Sequence, residues 1–95
     1  MKKQKRPNPN NLDLYRRRMR VGQDRLIRLL GHDDIATWSD WERGKHLPSL
    51  ANALRLGIIF RVPIEFLFYS LHDKLRRDIR AAEEQLDQPI QQILF

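Results

Sequence analysis

The sequence predicts an all-α protein, and three observations carry that prediction. Apolar residues recur at three- and four-residue spacing, as in Leu12, Tyr15 and Met19 or in Leu71, Leu75 and Ile79. Glycines and prolines stand where helices would stop or start, at Gly22, Gly31, Gly44, Pro48 and Pro63. No stretch alternates with period two over a useful length, so no strand is expected.

Each element can then be justified in order. Residues 1–10, MKKQKRPNPN, hold four cations and no apolar residue after Met1, so a disordered basic arm is expected. Asn10 or Asn11 can cap a first helix in LDLYRRRMR, with Leu12, Tyr15 and Met19 on one face. Gly22 breaks it. A second helix, QDRLIRLL, places Leu26, Leu29 and Leu30 inward and Arg25 and Arg28 outward, and ends at Gly31. Asp33 or Asp34 can cap a third, Ile35 to Arg43, which stops at Gly44. Trp38 and Trp41 fall at helical spacing and are expected in the core.

Pro48-Ser49 opens a fourth helix, LANALRLGIIF. Its Leu50, Ala53, Leu54, Leu56, Ile58 and Ile59 lie nearly all round, which predicts a central, buried helix. Val62-Pro63 starts a fifth, IEFLF. From Tyr69 a longer amphipathic helix follows, with Leu71, Leu75, Ile79 and Leu86 as its stripe and Pro89 as its break. The tail Ile90, Ile93, Leu94 and Phe95 is apolar but very short.

Ninety-five residues with 41% apolar content can bury one core. The chain has no cysteine, so a disulfide scaffold and a Cys-based zinc site are excluded. The basic N-terminus is not followed by an apolar run, and no apolar stretch could span a bilayer. A soluble protein of the cytoplasm is expected. Lys and Arg total 18 against 12 Asp and Glu, a net charge of +6. The excess is uneven: residues 1–30 carry ten basic groups against two acidic ones, whereas residues 63–95 carry four against six. The N-terminal end therefore attracts a polyanion, either nucleic acid or an anionic membrane.

Two short helices joined through Gly31, followed by a helix ending in WERGK, form a helix-turn-helix arrangement. With Gln23, the Leu26–Gly31 stretch LIRLLG, TWSDWERGKHLPSL and ALRLGIIFRVPIEFLF, the chain resembles the lambda-repressor/Cro-like (XRE) helix-turn-helix domains. The resemblance covers about residues 11–68, leaving 1–10 as the arm and 69–95 as an additional C-terminal helix and tail. It implies a five-helix globule whose third helix lies in the DNA major groove, in a bacterial, nucleoid-associated setting.

Carried onto this sequence, the resemblance makes Asp34, Ile35, Ala36, Ser39 and Asp40 the groove-facing positions. It also makes Arg16 and Glu42 an ion pair between the first and third helices. Gln23, at the start of the second helix, would reach a phosphate. Arg43 and Lys45 would contact the backbone, as would Lys2, Lys3, Lys5, Arg6 and Arg17 from the arm and first helix. Ile27 stands where the family commonly has a small alanine. Ile35 and Ala36 could touch a thymine methyl and Asp40 could accept from a cytosine amino group, but none of the outward residues of this helix can donate a bidentate pair to a base.

His32, His46 and His72 are scattered, with no ligand spacing for a metal, and no Ser, Cys or Lys has a base partner. Neither an enzyme nor a cofactor is expected. Two functional readings follow. One is a DNA-binding transcriptional regulator, the other a helix-turn-helix fold used as a protein-interaction or antitoxin-like accessory module. The stripe Leu71, Leu75, Ile79 and Leu86 either packs back on the domain or makes a homodimer.

Overall fold

The computed structural model describes residues 8–31 and 34–86. Lys2, Lys3, Lys5 and Arg6 of the arm, Asp33, and the tail Ile90 to Phe95 lie outside the described residues. Among these residues six helices follow one another: α1 (Leu12–Arg18), α2 (Gln23–Leu29), α3 (Ile35–Arg43), α4 (Leu50–Phe60), α5 (Ile64–Leu67) and α6 (Tyr69–Glu84). No strand occurs among the described residues, so the described chain is all-α.

Local chemistry explains the helix ends. Asp34 caps α3, its Oδ1 accepting from the Ala36 amide at 2.9 Å. Ser49 caps α4 by accepting from Asn52 N at 3.2 Å. Such caps are each worth about 1 kcal/mol. Gly31 and Gly44 both turn the chain through left-handed backbone, at φ 82° and 75°, a region that costs glycine nothing. Arg20 and Arg61 do the same work without that freedom, both at φ 58°.

The core joins Leu12 of α1, Leu26 and Ile27 of α2, Trp38 and Trp41 of α3, Leu56 and Phe60 of α4, and Leu67 of α5. Trp38 meets Trp41 edge-on with ring centroids 5.9 Å apart, and Tyr15 tilts onto Phe60 at 6.1 Å. The start of α1 is tied to two distant elements. Asn10 Nδ2 donates to the Trp41 carbonyl at 2.7 Å, while its Oδ1 accepts from Leu12 N at 3.0 Å. The Asn11 amide and side chain donate to the carbonyls of Leu67 and Phe66, both at 2.8 Å. Ordered bonding thus begins inside the stretch expected to be a free arm.

Three expectations about burial are overturned. In α2, Leu29 points outward at 67% exposure and Ile27 is fully buried in its place. A helix of seven residues makes about two turns, and Leu26 and Ile27, with Leu30 at its end, form the side it buries. In α4 the apolar residues are split between two faces. Ala53, Leu56 and Phe60 are inside, while Leu50, Leu54 and Ile58 recur every fourth residue on the outside, with Ile58 76% exposed. The helix is half-buried rather than central, because α5 closes over one side of it and no described element covers the other. Met19, placed on the inner face of the first helix, lies beyond the end of α1 and is exposed.

Candidate nucleic-acid interface

The orientation of α3 is determined by what it buries. Trp38, Trp41 and Glu42 face inward, and Glu42 is the hub. Its Oε1 accepts from Arg16 Nε at 2.6 Å and from Trp38 Nε1 at 2.5 Å, and its Oε2 accepts from Gln23 Nε2 at 2.9 Å. One carboxylate therefore holds α1, α2 and α3 in register. Arg16 completes the network by donating Nη1 to the Val21 carbonyl at 3.1 Å and Nη2 to Asp13 at 2.9 Å. The Arg16–Glu42 pair expected from the resemblance is present, with side chains 16% and 11% exposed.

With that face committed, the opposite one is turned out. Ile35 and Ala36 are exposed, and Ser39 and Asp40 are half-buried. Asp34 is spent as the cap: its Oδ2 also lies 3.4 Å from the Thr37 hydroxyl. After Gly44 the amides of Lys45 and His46 fold back onto the Asp40 carbonyl at 2.9 and 3.4 Å. This turn brings His46 Nε2 to 3.9 Å from Asp40 Oδ2 and leaves Arg43 and Lys45 exposed at the exit of α3.

Gln23 also has a partner inside the domain. One amide N–H goes to Glu42, so the side chain ties α2 to α3, leaving its carbonyl and second N–H for other partners. Arg17 projects into solvent, with Nε on Asp13 at 3.0 Å and both Nη groups available. Asp13, Arg16, Arg17, Gln23, Ser39, Glu42 and Arg43 surround a polar hollow of about 300 Å³, with the exposed Arg17 and Arg43 on its rim. Arg25 is exposed on α2, whereas Arg28 is paired with Asp24 at 3.0 Å.

Sequence reasoning missed the Trp38–Glu42 and Gln23–Glu42 bonds. The first had a signal, since the two residues sit four apart on one helix face; the second had none. Away from this face, the Arg76 hydrogen bond and then the nearby Arg77 hold the half-exposed Asp73 carboxyl of α6 below its ordinary pKa. Among the described residues no group of three or more His, Cys, Asp or Glu is placed to hold a metal, and no helix is long and apolar enough to cross a membrane.

Compared with protein-family models, curated proteins and solved structures, the chain matches none of them.

Proposed function

We propose that this chain is a DNA-binding transcriptional regulator of the lambda-repressor/Cro-like helix-turn-helix kind. In this reading α2 and α3 form the motif and α3 enters the major groove. The observation that carries it is the division of labour on α3. Its inner face is fully committed through Trp38, Trp41 and Glu42, while Ile35, Ala36, Ser39 and Asp40 are left outward beside the exposed cations Arg17, Arg43 and Lys45. Lys2, Lys3, Lys5 and Arg6 add charge of the same sign to the chain that enters α1.

In this reading affinity comes from phosphates and only modest selectivity from α3. The stripe Leu71, Leu75, Ile79 and Leu86 supplies self-association, which would present two α3 helices to two half-sites. A gel-shift titration against random and selected duplexes across a salt series tests it. The expected result is binding to all duplexes at low salt, falling steeply with salt, with a small preference among sequences. No shift at the lowest salt would end the DNA reading.

The protein-interaction reading is favoured by a different observation. Leu50, Leu54 and Ile58 form an exposed apolar row along α4, the kind of surface that proteins bury against partners.

A further inference from the structure

Leu75 and Ile79, on the apolar stripe of α6, are each about half exposed. Toward the N-terminal end of the helix this stripe runs into an apolar groove of about 280 Å³. Leu47, Leu50 and Ala53 line the groove from the start of α4 and the loop before it, and Phe68, Leu71 and Leu75 line it from the end of α5 and from α6. Of the described residues lining it, only Glu65 and His72 can carry a charge. Burying an unpaired charge there would be costly, so the groove suits an uncharged, apolar occupant.

The chain itself supplies such a segment. Residues 87–95, DQPIQQILF, lie outside the described residues and follow closely on the end of α6 at Glu84. After Asp87 they hold no charged side chain, and Ile90, Ile93, Leu94 and Phe95 are apolar. Pro89 opposes any continuation of the helix through it. The length suits a return along α6. From Glu84 back to Leu75 is about 14 Å of helix, whereas Ile90 to Phe95 spans about 17 Å when extended. The spacings agree as well. Every second residue of an extended segment shares a face, about 6.6 Å apart, and residues four apart on a helix rise by about 6 Å. Ile93 and Phe95 therefore keep step with Ile79 and Leu75, taken backwards along α6.

We propose that residues 90–95 fold back along α6 of their own chain in extended form, with Ile93 against Ile79 and Phe95 entering the groove beside Leu75. None of the groove's lining residues belongs to the face proposed for DNA, so this inference stands apart from the DNA reading and is tested without DNA. Docked, the tail takes Leu75 and Ile79 out of the surface open to a second copy. Self-association through the stripe then requires the tail to leave.

The test uses the full chain. It has no cysteine, so a single pair can be introduced. With Leu75→Cys and Phe95→Cys in one chain, mild oxidation should close a disulfide within that chain. Leu54→Cys with Phe95→Cys, whose first site is on the outer face of α4, should stay reduced, its sulfurs being too far apart. Hydrogen exchange gives a second measurement without cysteines. Phe95→Asp should speed exchange of the α6 amides from Leu71 to Ile79 by roughly one to two orders of magnitude, the worth of one buried aromatic side chain. Amides of α1 to α3 should be unaffected, and Phe95→Leu should keep most of the protection. A Leu75–Phe95 pair that stays reduced or closes only between chains, or equal α6 exchange in Phe95→Asp and the parent chain, would overturn the proposal.

Discussion

Arg16 Nε donates to Glu42 Oε1 at 2.6 Å, joining α1 to α3 across 26 positions of sequence. Because Trp38 Nε1 and Gln23 Nε2 donate to the same carboxylate, its loss would leave the largely buried Arg16 guanidinium with Asp13 as its remaining carboxylate partner and a fully buried indole N–H without its acceptor. Breaking a buried pair from one side costs about 3–5 kcal/mol. Glu42→Ala is therefore expected to lower stability by that order. Glu65→Ala, which removes an exposed carboxylate, should change it by no more than about 0.5 kcal/mol. Urea denaturation of the two variants decides the matter, and equal midpoints would show that the network holds nothing together.

The left-handed turn at Arg61 offers a stability gain. Arg61 ends α4 at φ 58°, with the following Val62 amide donating to the Gly57 carbonyl at 3.2 Å. A side chain with a Cβ pays roughly 1–2 kcal/mol for this backbone region, and glycine does not. Arg61→Gly should raise the unfolding free energy by about 1 kcal/mol, after allowing for the greater freedom of glycine in the unfolded chain. A lowered thermal midpoint would mean that the arginine side chain contributes more than its strain costs.

The arm is tested through salt. If Lys2, Lys3, Lys5 and Arg6 lie against phosphates, each contact contributes about 0.9 to the slope of log affinity against log salt. Deleting residues 1–9, which spares the bonded Asn10, should reduce the slope by about two to four and weaken every duplex alike. The titration is repeated at four or more salt concentrations, as one concentration cannot give a slope. An unchanged slope would place the arm away from DNA.

Asp40 tests the groove. Its side chain is one-third exposed beside His46, and Asp40→Asn removes the charge at nearly constant shape while adding a donor. If Asp40 faces phosphates, every duplex should bind more tightly. If it accepts from a cytosine, the preferred site should weaken and the base chosen there should change, by about 1–3 kcal/mol of discrimination. An intact fold with no change on any duplex would take α3 out of the groove and leave the protein-interaction reading.

What the sequence determined by itself was the number, order and approximate limits of the helices. Those depend on near neighbours: the three-to-four spacing of apolar residues, the caps Asp34 and Ser49, and the stops at Gly31 and Gly44. The Arg16–Glu42 pair was legible because a resemblance named it, and Arg43 and Lys45 because they follow a helix stop directly.

The tertiary structure alone decided which apolar residues are inside. Ile27 and Leu29 are both apolar and lie two positions apart on α2, and only the arrival of α3 on one side buries the first and leaves the second in water. The same holds for Leu54 and Ile58, which read as core until α5 is seen to close over the other face of α4. The inward roles of Gln23 and Asn10 also needed the fold. Their partners Glu42 and Trp41 are 19 and 31 residues away, and a polar side chain carries no local mark of where its hydrogen bond will be found. Where a helix starts and stops is marked within a few residues, whereas burial and pairing are properties of surfaces that meet only after the chain has folded.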